Sequence, residues 1–202
     1  KGYIGTGGYA GGGTITGLDF WEYNPAANTW TRKADFGGAA RIGAVGFSIG
    51  SNGYIGTGFD FANLYPKDFW VFDPSGNTWT RKANFGGTGR NGSVGFAIGS
   101  KGYIGVGFAY ESGLLKDFWE YDPALGVWTQ KADFGGNACN RTAGFSVSGK
   151  GYIGLGSGTG GFWEYDPVAN TWTRKADFGG TDRIDVASFS IGNKGYIGTG
   201  FV

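Results

Sequence analysis

Apolar and polar positions alternate in short runs, and no stretch sustains the spacing of an amphipathic helix. The runs are rich in aromatic and β-branched residues. Gly, Asn-Pro and Asp-Pro separate them, which predicts an all-β chain. One run, Gly-Tyr-Ile-Gly-x-Gly, occurs five times, starting at Gly2, Gly53, Gly102, Gly151 and Gly195, with spacings of 51, 49, 49 and 44 residues. A period of about 50 residues marks units that bury their apolar faces only against one another.

Four segments recur in each unit, here called a to d. Segment a covers residues 41–49 and returns at 90–98, 141–147 and 183–191. Its small residues suit the crowded inner strand of a radial sheet. Segment b is the glycine-rich run. A tight turn such as Gly50-Ser51-Asn52-Gly53 joins a to b, with Asn-Gly as its hairpin signal. Segment c contains Asp19-Phe20-Trp21-Glu22-Tyr23, with counterparts at 68–72, 117–121 and 162–165. Alternation places Trp21 and Tyr23 on one face and Phe20 and Glu22 on the other, and the tryptophan face is expected to be buried. Segment d covers 29–33, 78–82, 127–131 and 171–175. Threonine and basic residues around one Trp mark it as an outer strand that resists edge-to-edge pairing. The c–d turns end in Asn28, Asn77, Gly126 and Asn170. The Gly126 swap implies a slot that selects left-handed backbone rather than side-chain chemistry.

Composition narrows the classes. With 202 residues, 40% hydrophobic and 18% aromatic, one domain over 1–202 is expected, with repeats beginning near 2, 53, 102 and 151 and a partial fifth at 195–202. The net charge of +1 implies no bulk attraction to nucleic acid or an anionic membrane. No apolar run reaches the roughly 18 residues of a membrane-spanning helix, so no membrane insertion is expected. Cys139 stands alone and forms no internal disulfide. Methionine is absent, including an initiator, so a mature or excised piece is expected. Sequons at Asn91-Gly92-Ser93 and Asn140-Arg141-Thr142 matter only in a glycosylating host.

The glycine-rich b strand, a c strand ending in Tyr165-Asp166-Pro167, and Trp172 six residues after that Asp together resemble the kelch repeat. The resemblance covers essentially the whole chain. It departs from the family where the Gly-Gly doublet reads Gly-x-Gly, with Gly7-Gly8 the single doublet among the b strands. It implies an all-β, kelch-type β-propeller of four-stranded antiparallel blades, here four repeats plus a surplus strand. The wording Asp-Phe-Trp-Glu-Tyr-Asp-Pro is similar to that of bacterial secreted kelch proteins and galactose-oxidase-like repeats. That similarity implies an extracellular or cell-surface location. Strand order runs b-c-d, three times a-b-c-d, then a-b. Three arrangements are open: a small ring with overlapping closure, part of a longer ring of about six or seven blades, or a surplus strand at 195–202 that self-associates.

In an up-down blade the a–b and c–d turns share one end, and the variable b–c and d–a links share the other, where binding residues concentrate. The first three b–c loops are long and the fourth, 157–161, is short, which should open a notch. Phe61, Tyr65 and Tyr110 either stack on a sugar or peptide or pack on their own loops. The d–a links contain Arg41, Arg90, Arg141 and Arg183. These arginines either ring the channel mouth and bind anions, as arginines of some kelch adaptor domains bind acidic peptides, or pair with backbone carbonyls and with Asp19, Asp68 or Asp117. Residues that break the repeat, Asp182 and Asp185 beside Arg183 and Ala138 to Asn140 beside Arg141, are the better selectivity candidates.

Copper radical oxidases on related propellers require histidine ligands and a Tyr–Cys pair, and this chain has no histidine. Asp60, Glu111, Asp182 and Asp185 are the loop carboxylates open to acid–base work. The expected function is a non-catalytic module that recognises glycan or protein ligands, with no cofactor and no metal. The alternatives are an assembly component joined through propeller faces or strand exchange, and a sugar epimerase-like enzyme.

Overall fold

The computed structural model describes residues 1–8, 17–158 and 160–202. Most of the first b–c loop (9–16) and Thr159 of the fourth lie outside the described residues. Among the described residues seventeen strands form five consecutive antiparallel sheets, and there is no helix.

The first sheet holds β1 (Gly2–Gly5), β2 (Phe20–Asn24) and β3 (Thr29–Arg32). The second holds β4 (Val45–Ile49), β5 (Asn52–Gly56), β6 (Phe69–Asp73) and β7 (Thr78–Lys82). The third holds β8 (Val94–Ile98), β9 (Lys101–Ala109), β10 (Gly113–Asp122) and β11 (Val127–Lys131). The fourth holds β12 (Ala143–Val147), β13 (Lys150–Gly154), β14 (Trp163–Asp166) and β15 (Thr171–Arg174). The last pairs β16 (Ala187–Ile191) with β17 (Lys194–Gly198). Each complete sheet is a meander in the expected order a-b-c-d.

The inner strands β4, β8, β12 and β16 touch in succession, which makes the arrangement propeller-like. Glycine is required there because a Cβ on Gly95 would sit 2.9 Å from Val45 Cβ of the neighbouring inner strand. The described residues do not close the arc. Among the described residues β16 pairs only with β17 and β1 only with β2, and a groove of about 770 Å³ lies between β1 and β4, lined by Tyr3, Ile4, Phe20, Val45 and Phe47.

Both faces of a complete sheet meet a neighbour, so burial does not follow one face of segment c. Phe69 packs edge-on against Tyr121 and Trp128 of the next sheet, both at 4.9 Å. Phe118 repeats this with Tyr165 and Trp172, and Phe20 with Phe72 and Trp79. Phe20, Phe69 and Phe118 are buried, whereas Trp21, Trp70 and Trp119 are half-buried. The expectation of a buried tryptophan face is therefore corrected.

The Lys-Ala-Asp-Phe-Gly-Gly link, with Asn84 in place of Asp in its second copy, clasps one sheet to the next. Phe36, Phe85 and Phe134 pack edge-on against the d-strand tryptophans Trp79, Trp128 and Trp172. Those indoles donate to the carbonyls of Ala34, Ala83 and Ala132. In return, the Ala34 and Ala132 N–H groups donate to Asn77 and Asn170. The Asn slot is left-handed as expected, with φ of 52°, 51°, 70° and 54° at Asn28, Asn77, Gly126 and Asn170. Its side chain nonetheless bonds the preceding sheet at two of these positions, so side-chain chemistry is selected as well.

Two turns were not foreseen. The a–b turn is Gly50-Ser51 with only Gly50 at positive φ, as a type II′ hairpin requires, and Asn52-Gly53 already belongs to β5. The x of every Gly-x-Gly is left-handed: Thr6, Thr57, Val106, Leu155 and Thr199 have φ between 51° and 63°. This is a strained state for a β-branched residue. The kink aims the next N–H sideways, so Gly7, Gly58, Gly107 and Gly156 donate to Arg41, Arg90, Cys139 and Arg183 carbonyls of the following sheet.

Candidate functional site

The variable links gather at one end as expected, since Ile42 bridges Phe59 and Asn91 bridges Phe108. Arg41 and Arg90 are not at a channel mouth. Both are 0% exposed. Arg90 donates through Nε to the Thr88 carbonyl, through Nη1 to the Val106 carbonyl, and through both Nη atoms to Asp117 at 2.6 and 2.7 Å. Its guanidinium lies 4.9 Å over the Phe85 ring, and Trp119 Nε1 donates to the same carboxylate. Arg41 repeats the lock with Ala39, Thr57, Asp68, Phe36 and Trp70. The anion-binding reading is corrected for both, because their donors are already committed. Their place in the fold explains the chemistry: each lock grips the carbonyl of a strained left-handed residue.

Arg141 stands apart, because it is not a member of the series. Arg41, Arg90 and Arg183 stand six residues before the inner-strand phenylalanines Phe47, Phe96 and Phe189. Six before Phe145 stands Cys139, which is fully buried, with its thiol pushed up to about 12 by burial. Gly161 stands where the other c strands have Asp19, Asp68 and Asp117. The fourth sheet has thus lost both halves of the lock, and its Trp163 Nε1 is buried without a partner among the described residues. Counting from Phe145 instead of matching Arg to Arg finds this in the sequence. Arg183 bonds the Thr181 and Thr199 carbonyls and covers Phe178, with no carboxylate partner among the described residues.

Burial resists ionisation of Asp68 and Asp117, but the hydrogen bonds and charge of Arg41 and Arg90 outweigh it and hold both carboxyls below the ordinary aspartate range. The unfolded chain binds these protons more readily, so the locks act fully above about pH 4 and fade as pH falls through the depressed folded values. The urea midpoint is expected to stay flat from about pH 7 to 5 and decline below about 4. In Asp117→Asn that acid decline should be shallower. An identical decline in the variant would contradict the assignment.

Arg141 occupies a different ring of positions. Gly43, Gly92, Arg141 and Asp185 are all left-handed, with φ of 62°, 58°, 56° and 54°. Each N–H from Gly92 onward donates to the preceding member's carbonyl, forming a collar across sheets. Arg141 Nε and Nη2 bond both carboxylate oxygens of Asp185, and this pair is exposed.

An aromatic row runs beside the collar. Phe59 meets Phe61 at 5.4 Å and Tyr65 at 5.6 Å, and Tyr65 meets Phe108 at 6.4 Å. Phe61 is 60% exposed and Tyr110 is 76% exposed at the tip of the β9–β10 hairpin. The two alternatives for the loop aromatics therefore divide: Tyr65 packs within the row and is half-buried, while Phe61 and Tyr110 keep free surface. Asp60 is buried and accepts the N–H groups of Ala62 and Asn63, which shapes its own loop and removes it from ligand contact. Asp182 is exposed. Among the described residues no group of acidic, histidine and cysteine side chains has the arrangement of a metal site.

No family model and no curated protein matches the chain. A solved structure of YjhT is similar, with a TM-score of 0.75 and 19% identity, covering 92% of this chain. The chain spans only 65% of that structure. The likeness concerns fold alone: an all-β chain of successive four-stranded antiparallel sheets.

Proposed function

We propose that this chain is a non-catalytic binding module, kelch-type in its blades and exported or displayed at the cell surface, that recognises a glycan or a peptide at its loop end. One observation carries the reading: the aromatic row and hairpin tip present Phe61 and Tyr110 to solvent on a rigid, repeat-locked scaffold. Exposed aromatic faces supply large contact area at small entropic cost. The loop carboxylates fit this role better than acid–base work, since Asp60 is held in its own turn and Asp185 is paired with Arg141.

Printed glycan and peptide arrays test the proposal. The expected result is selective binding that falls at least ~10-fold in Phe61→Ala/Tyr110→Ala while the melting temperature is unchanged, since both side chains are largely solvent-exposed. No binding on either array, or binding indifferent to both changes, would overturn it.

The groove between β1 and β4 favours a second reading, assembly. In the second to fourth sheets the corresponding place holds an inner strand of the same chain. A strand added there would complete the first sheet by edge pairing.

A further inference from the structure

The repeat gives each position a built-in control, because sister sheets show what structure alone requires. Departures confined to one place are then candidates for binding. They concentrate on the collar of the third to fifth sheets. The position before the collar is Ile42 in the second sheet and Ile184 in the last, but Asn91 and Asn140 in the third and fourth. The collar is Gly43 and Gly92 in the second and third sheets, but Arg141 and Asp185 after them. An arginine in a left-handed conformation is strained, and such strain persists where function holds it. Both Asn side chains are half-buried, and neither has a hydrogen-bond partner among the described residues.

The groups adjoin one another. A Cβ built on Gly92 would lie 3.2 Å from Arg141 Cγ and 3.6 Å from Asn140 Cβ, and one on Gly43 would lie 3.6 Å from Asn91 Cβ. Asn91 exchanges backbone bonds with Phe108, whose ring touches Tyr65 in the aromatic row. Planar amides and an Arg–Asp pair therefore stand beside aromatic rings.

We infer that the ligand is a neutral oligosaccharide whose vicinal hydroxyls are gripped by Asn91, Asn140, Arg141 and Asp185, with a sugar face stacked on the aromatic row at its exposed member, Phe61. This inference rests on the binding reading above and specifies its ligand. A guanidinium donates to one hydroxyl while the adjacent carboxylate accepts from the next, and each amide does both. Neutrality follows from the charges: Arg41 and Arg90 are balanced by Asp68 and Asp117, and Arg141 by Asp185, while Arg183, without a carboxylate among the described residues, commits its guanidinium to the Thr181 and Thr199 carbonyls and the Phe178 ring.

Isothermal titration with cello-, xylo-, manno- and malto-hexaose, an oligogalacturonate and an acidic peptide, each at low and high salt, tests the inference. A neutral hexaose should bind with an affinity indifferent to salt, because no ion pair forms. Asn140→Ala should weaken it at least ~10-fold, as loss of an amide that both donates to and accepts from the sugar does. The double variant Arg141→Gly/Asp185→Gly restores the sister residues and relieves left-handed strain, so it should fold at least as well while losing at least ~10-fold in affinity. Salt-sensitive binding of oligogalacturonate or acidic peptide alone would overturn the inference and leave the binding module standing. Neutral binding untouched by both variants would also overturn it, as would failure of every probe, which would count against the module as well.

Discussion

Arg90→Ala should lose about 3–5 kcal/mol of folding stability, the cost of breaking one side of a buried ion pair. The substitution leaves the half-buried Asp117 carboxylate without its guanidinium, and it frees the carbonyl of Val106, a β-branched residue held at φ 51°. Asp117→Ala should cost at least as much, because it strands a guanidinium with no exposure at all. The fourth sheet shows that the pair is dispensable when both halves go together, since Cys139 and Gly161 replace it there. Arg90→Cys/Asp117→Gly should therefore cost less than the sum of the single changes, a coupling that a double-mutant cycle reads directly. Arg141→Ala breaks an exposed pair and should cost less than about 1 kcal/mol. Urea unfolding of the set decides. An Arg90→Ala loss below about 1 kcal/mol would show that the guanidinium is not a lock.

Trp128→Ala should cost about 3–5 kcal/mol by opening a cavity between two sheets. Its ring meets Phe69, Phe85 and Tyr121, all within about 5 Å, and its indole donates to the Ala83 carbonyl. Trp30 occupies the same repeat position on the first sheet, meets the single ring of Tyr23 among the described residues, and is 52% exposed. Trp30→Ala should cost less than about 1 kcal/mol. Identical residue types at identical repeat positions thus separate intersheet packing from intrinsic strand preference. Equal losses at the two positions would contradict the stacked arrangement.

Strand content and order were legible because glycine, proline and aromatic residues recur at fixed slots, each tied to a local backbone need. The outer strands were legible as well, because Thr, Arg and Lys surround one Trp in each. What alternation could not supply was the buried face. Period-2 reasoning assumes one wet side, and a radial sheet has a neighbour on both, so Phe69 and Phe72 are both buried in one strand. The arginines misled for a different reason. Arg141 sits two residues from the slot that identity suggested, and only the distance to Phe145 reveals that Cys139 fills it. The collar carried no sequence signal of its own, because Gly43 and Gly92 read as ordinary small residues until their left-handed backbone lines up with Arg141 and Asp185. Asn91 was visible only as a sequon, whereas Asn140 and Asp185 also stood out as departures from the repeat.

Residues constant across the repeat hold the sheets together, and we propose that residues departing from it at the loop end bind. Amide chemical-shift mapping of the labelled protein with the neutral hexaoses tests this most directly. Perturbations are predicted at 59–65, 91–92, 108–110, 140–141 and 185, with none at the c–d turns 24–28, 73–77, 122–126 and 166–170. Shifts centred on those turns, with the collar and the aromatic row silent, would contradict it.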